Sequence, residues 1–154
     1  MSTLSTSRVP ANTAEDINEK IRRNMEENVA YYALAGREAI ERRVQELDRE
    51  WDIERVLEAN AAGVSLLGFT FGATRSRLWY LLPALVSGFL LQHAIQGWCP
   101  PLELFRRLGF RTRAEIDQER YALKVLRGDF GDLPQLKDQD NRSTIERALE
   151  AVRR

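Results

Sequence analysis

Residues 59–98 read ANAAGVSLLGFTFGAT-RSR-LWYLLPALVSGFLLQHAIQGW, two uncharged runs parted only by Arg75, Ser76 and Arg77. The first run, 59–74, holds 16 residues and the second, 78–98, holds 21 with His93 neutral. As helices they span about 24 and 31 Å, against a hydrocarbon core of roughly 30 Å. A three-residue connector makes the two helices antiparallel neighbours. The expected fold is therefore all-α, a two-helix transmembrane hairpin flanked by amphipathic cytoplasmic helices. The competing reading is a soluble helical bundle with an apolar hairpin at its core. Asn60, Ser65 and Thr70 favour the bundle. The unbroken second run opposes it, as do Trp79 and Tyr80 at one end and Trp98 at the other, where water–lipid interfaces concentrate aromatics.

Outside this stretch the chain is dense in charge. Its mean hydropathy of −0.42 averages polar ends with an apolar middle. Residues 1–58 carry 9 basic and 13 acidic side chains, the hairpin two arginines, and residues 99–154 carry 12 and 10. No segment concentrates positive charge as a nucleic-acid binder requires. Arg outnumbers Lys 20 to 3, which suits multidentate Arg–Glu pairing between helices. A single cysteine, Cys99, excludes an intrachain disulfide and a multi-cysteine zinc site.

The hairpin helices carry small-residue motifs. Gly68-Phe-Thr-Phe-Gly72 is a GxxxG and Ala84-Leu-Val-Ser-Gly88 a small-xxx-small match. Missing side chains at this spacing let another backbone approach closely. Gly68, Gly72, Ala84 and Gly88 are thus candidate helix-packing residues, expected to meet within the hairpin or between protomers. Pro83 sits early in the second helix, where a missing N–H costs least.

Upstream, residues 1–11 are expected to be a disordered tail without the apolar core of a secretory signal. Residues 12–58 form an amphipathic helical arm. Asn12 or Thr13 is expected to cap a helix from about Ala14, in which Ile17, Ile21, Met25 and Val29 recur at i+4. Gly36 ends or bends it. In 37–51, Ile40, Val44, Leu47 and Trp51 follow the 4-3-4 spacing of a helix–helix seam. Downstream, 99–131 is an interfacial and amphipathic segment. Pro100 and Pro101 are expected to stop the second apolar helix, and 102–108 to form a short helix closed by Gly109. Thr112-Arg-Ala-Glu115 is a capping box opening a helix over Arg113–Arg127, with apolar Ile116, Tyr121, Leu123 and Leu126. Residues 132–154 are a polar linker and a short terminal helix capped at Ser143-Thr-Ile-Glu146.

Arginines flank both spans, with Arg42, Arg43, Arg49 and Arg55 before them and Arg106, Arg107, Arg111 and Arg113 after. By the positive-inside rule both termini are cytoplasmic and the 75–77 tip is outside, although the tip carries two arginines of its own. The expected location is the bacterial inner membrane, multi-pass.

The residues Cys99, Pro100, Leu108, Gly109 and Thr112, following an apolar hairpin, carry a resemblance. The spacing Cys-Pro-x7-Leu-Gly-x-x-Thr resembles the YgaP-like transmembrane domain family, a small bacterial inner-membrane domain of unknown biochemical role. Asp52-Ile-Glu-Arg55-Val-Leu looks like a loosened form of that family's opening stretch. The resemblance covers about residues 51–112, and Pro101 departs from the pattern. Family members are sometimes fused to a rhodanese sulfurtransferase domain; here the only cysteine lies at the membrane boundary.

Cys99 is the one candidate thiol site. Arg106 and Arg107 nearby would lower its pKa and favour thiolate. No second cysteine stands ready to resolve a disulfide, and His93 would lie about 120° off its helical face. His93, Gln92 and Gln96 form a polar cluster near one end of the second span. A proton or ion path would need buried carboxylates as well, and neither span has one. No catalytic, metal or cofactor-binding residues are expected. The leading expectation is a non-enzymatic integral membrane protein, an anchor and assembly or adaptor module of unknown biochemical role. Its expected partners are the lipid bilayer and a second copy or another membrane protein, not nucleic acid. The alternative is a sulfur-relay or thiol-sensing protein acting through Cys99.

Overall fold

The computed structural model describes residues 8–130, and there every regular element is helical, with no strand. In order these are α1 (Arg8–Ala11), α2 (Glu15–Ala35), α3 (Arg37–Arg49), α4 (Ile53–Thr74), a 3-10 turn (Arg77–Tyr80), α5 (Leu81–Gln96), α6 (Pro100–Arg107) and α7 (Arg113–Arg127). The linker and terminal helix expected over 132–154 lie outside the described residues. The described residues divide into two compact units, 8–24 with 50–116 and 25–49 with 117–130.

The first unit contains the hairpin. α4 starts where Asp52 accepts a hydrogen bond from the Arg55 amide at 2.8 Å. That start lies six residues before the uncharged run, so Glu54, Arg55 and Glu58 occupy its first turns. Its polar side chains bond within the helix: Asn60 donates to the Val56 carbonyl, Thr70 to Leu66 and Thr74 to Thr70, at 2.7–2.8 Å. An apolar helix thereby carries polar residues without needing water or a partner for them. After Thr74 the chain reverses through Ser76 and the 3-10 turn, and α5 runs back along α4. Phe71 meets Trp79 at 5.2 Å between ring centroids, closing the tip. Both apolar helices are long and apolar enough to cross a membrane. Only 22% and 6% of their most apolar windows are buried, and Leu66, Leu67, Phe69, Leu81, Leu91 and Ile95 all face outward.

α5 ends before the prolines. Gly97 takes a left-handed conformation (φ 73°) and donates its N–H to the His93 carbonyl at 2.7 Å. Pro100 and Pro101, expected as the stop, instead occupy the first turn of α6, where their missing N–H groups have no helical partner to lose. At the base of the hairpin Val9, Ile53, Leu57, Cys99 and Leu102 form a buried cluster, flanked by Phe89, Phe105 and Phe110. Complete burial of a side chain such as Leu102 contributes about 1.5–3 kcal/mol.

Of the tail expected to be disordered over residues 1–11, residues 1–7 lie outside the described residues, and Arg8–Ala11 instead forms a helical turn with Val9 buried. Asn12 and Thr13 do not cap α2. Their side chains reach back, Asn12 Nδ2 to the Arg8 carbonyl and Thr13 Oγ1 to the Val9 carbonyl, both at 2.8 Å. Burial of Val9 fixes α1, and that brings these carbonyls within reach.

The second unit contains the later part of α2, α3 and most of α7. Gly36 (φ 91°) separates α2 from α3. Ile40, Val44 and Leu47 of the expected seam are buried, as is Leu123 of α7. Arg43 of α3 donates to Glu119 of α7 at 2.8 Å, and Arg120 lies 3.1 Å from Asp48. Glu119 is wholly buried, whereas Tyr121 and Leu126, expected on the inner face, are outward. Trp51 falls outside the seam because α3 stops at Arg49; it is half-exposed beneath the Arg55 guanidinium, 4.3 Å from its ring centre.

Candidate functional site at the base of the hairpin

The α6–α7 connection carries a dense polar network. Thr112 and Glu115 form the capping box the sequence contains: the Thr112 amide donates to Glu115 at 2.7 Å and the Glu115 amide to Thr112 Oγ1 at 3.3 Å. Arg106 then clamps the same carboxylate through two bonds of 2.7 and 2.8 Å. It also donates to the Phe110 carbonyl and to Asn18 Oδ1. Burial alone would raise the Glu115 pKa; the Arg106 hydrogen bonds, the Thr112 amide and the Arg106 charge outweigh it and hold the carboxyl below the ordinary range. Nearby, Arg111 binds Glu50 through bonds of 2.6 and 2.8 Å, and its carbonyl accepts from the Ile53 amide at 2.8 Å.

Cys99 lies in the apolar cluster, 2% exposed, at the N-cap of α6. Burial pushes its thiol up, against a smaller opposing effect of the Leu102 amide. The expected lowering by Arg106 and Arg107 is corrected by their pairing: Arg106 is held by Glu115, and Arg107 by Glu103 at 3.0 Å. Cys99 and His93 are not brought together, since His93 lines a different cavity.

Gly68 and Gly72 face the returning helical leg of the hairpin. A Cβ on Gly68 would stand 2.6 Å from Pro83 Cδ, and one on Gly72 2.7 Å from the Tyr80 ring. Ala84 and Gly88 are exposed, and nothing lies within 4 Å of a Cβ on Gly88. Within the hairpin, therefore, the two small-residue faces do not meet. α4 glycines admit the bulky start of α5 instead.

Two concavities flank the hairpin base. One, about 240 Å³, is lined by Arg8, Glu54, Glu58 and His93 with the apolar Leu57 and Leu90. His93 Nδ1 is shut from solvent there without a hydrogen-bond partner among the described residues. Arg8 reaches the Ala94 carbonyl at 3.0 Å and Asn12 the Gln96 carbonyl at 3.4 Å, so α1 covers the C-terminal end of α5. The other, about 320 Å³, is an apolar groove between α4 and α5 that ends at Cys99, Pro101 and Phe105. Leu57 and Leu90 border both.

Sequence reasoning missed Arg8, Asn18, Glu54 and Glu58, and gave Asn12 a capping role in place of its contacts with the Arg8 and Gln96 carbonyls. For Arg106 a signal existed: it stands at i+4 from Leu102, on the inward face of α6. No grouping of His, Cys, Asp and Glu suited to a metal occurs among the described residues. No family model matches the chain, and neither the curated proteins nor the solved structures searched contain a match.

Proposed function

We propose that the chain is a non-enzymatic integral protein of a bacterial inner membrane. Its hairpin is the anchor and its charged helical arms are the assembly or adaptor module. One observation carries this reading: the most apolar helix is the least buried, with 6% of its apolar window covered, while the buried clusters lie elsewhere. An apolar surface of that size is favourable only against lipid or another apolar surface. The internally bonded Asn60, Thr70 and Thr74 support lipid, because a hydrocarbon medium tolerates polar groups only when they are satisfied.

The arginines before and after the spans favour cytoplasmic termini and an external 75–77 tip. The Cys99-Pro100 and Leu108-Gly109 motif favours kinship with the YgaP-like domains. Ion pairs Arg43–Glu119 and Arg111–Glu50 tie helical segments of the arms together internally, which suits arms that act as folded modules toward a second copy or a membrane partner. The sulfur-relay alternative is disfavoured by the burial of Cys99. Carbonate extraction of membranes tests the anchor: retention in the pellet is expected, and release to the supernatant would refute it.

A further inference from the structure

The end of α2 is apolar on two sides. The inner side is closed within the second unit: the Arg43 guanidinium lies over the Tyr32 ring, 5.7 Å from its centre, and Arg43 donates in turn to Glu119 of α7. The outer side is open, with Leu34 92% exposed and Tyr31 66%. Glu27, Tyr31 and Leu34 stand at i, i+4 and i+7, one row on the helix surface, and residues 29–35 carry no charge. A helix end that is apolar all round is favourable only when both sides are covered. The open patch is small. Two large side chains and their alanine neighbours bury at most a few hundred Å², well below the roughly 1,200 Å² of a stable dimer. A short tethered helix needs far less, because its local concentration is on the order of millimolar.

Such a helix is encoded directly downstream. Residue 130 is the last described, and residues 131–154 follow it. The end of α7 lies beside the α2–α3 break: the Asp129 carboxyl is held below its ordinary range by the Arg127 hydrogen bond first, and also by the charges of Lys124 and Arg37. Arg37 follows Gly36, directly after the end of α2. Residues 131–142 reach up to about 40 Å when extended, enough to return over α2. In 143–153 the Ser143 and Glu146 pair opens a helical pattern, with Ile145, Ala148, Leu149 and Val152 at i, i+3, i+4 and i+7 on one face. A helix of that length is marginal in water by itself, so burial of this face is what stabilises it. The charges match as well. Residues 142–154 carry four basic and two acidic side chains, and residues 26–38 carry three acidic and one basic.

We propose that segment 143–153 folds back as a helix onto the outer face of α2. Ile145, Leu149 and Val152 pack against Tyr31 and Leu34, and the segment's arginines lie beside Glu27. The charged arm is then closed by its own C-terminal segment, and the outer α2 face opens to a partner only when that segment leaves. None of this depends on the membrane reading.

Hydrogen exchange read by mass spectrometry on the full chain, in mild detergent and in lipid nanodiscs, tests the docking. The 143–153 amides should exchange at least about tenfold more slowly than in unfolded chain, independently of protein concentration and equally in both media. Leu34→Glu should remove that protection, whereas Ala33→Glu, exposed on the same turn but off the row, should keep it. Protected amides in α3 and α7 check that each variant is folded. Unprotected 143–153 amides in the native chain would overturn the docking, as would protection that survives Leu34→Glu. Protection that rises with protein concentration would overturn it in favour of a second copy, and protection found only in nanodiscs in favour of the lipid surface.

Discussion

Arg106 holds Glu115 through two hydrogen bonds, 2.7 and 2.8 Å, with the arginine side chain wholly shut from solvent. The carboxylate simultaneously caps α7, so one ion pair ties α6 to the first turn of α7. A buried guanidinium is costly to desolvate, and it is tolerated here because Glu115, Asn18 and the Phe110 carbonyl all accept from it.

Replacing Arg106 by Leu strands Glu115 and two further acceptors. Breaking a buried pair by removing one partner costs about 3 kcal/mol or more. Denaturant unfolding in detergent should show that loss, while Arg107→Leu, at an exposed pair, should change stability by less than about 1 kcal/mol. Equal effects of the two substitutions would show that Arg106 is no clamp.

Glu115 also sets a pH dependence. Its folded pKa lies below the ordinary value of 4.5, so its contribution is complete above that value and is lost as pH falls through the lower, folded one. Unfolding midpoints measured from pH 7 downward should fall below about pH 4.5. Glu115→Gln should flatten that part of the curve. An unchanged slope in the variant would assign the acid sensitivity to other carboxylates.

The glycines of the hairpin separate into two kinds. Gly68→Ala places a methyl against the Pro83 ring and should destabilise by about 1–3 kcal/mol. Gly88→Ala meets open space and should be neutral or stabilising by up to about 1 kcal/mol, since alanine favours helix. The Ala84 and Gly88 stripe remains available to a second copy. Gly88→Leu should then shift the oligomeric state in detergent while leaving a monomer's stability intact; an unchanged oligomer would remove that role.

Cys99 should behave as a packing residue. With the thiol buried and its pKa raised, alkylation by iodoacetamide at pH 8 should run at least roughly tenfold slower in the folded protein than after denaturation. Fast labelling of the native chain would revive the thiol-sensing alternative.

Local patterns in the chain announce much of this architecture. Thr112 and Glu115 stand three apart and form their box, Gly36 marks the α2–α3 break, and Ile40, Val44 and Leu47 repeat at seam spacing and are buried. Local signals compete where two stop residues lie close together. Gly97 ends α5 because a left-handed residue satisfies the His93 carbonyl, which leaves Pro100 and Pro101 to open α6. Long-range chemistry leaves no periodic trace. Arg8 meets Ala94 across 86 residues, and Asn12 meets Gln96 across 84, so nothing near Arg8 announces the carbonyl it will cover. The cavity of Glu54, Glu58 and His93 is hidden for the same reason, since its halves come from both legs of the hairpin.

The orientation of that hairpin is tested most directly by cysteine accessibility on a Cys99→Ala background. Ser76→Cys places a thiol at the exposed tip, and Gln118→Cys places one on the outer face of α7. After carbonate washing retains the protein in the membrane, an impermeant maleimide should label Ser76→Cys in intact cells and Gln118→Cys only once the membrane is opened. Release of the chain by carbonate, or labelling of both positions in intact cells, would contradict a membrane hairpin with cytoplasmic arms.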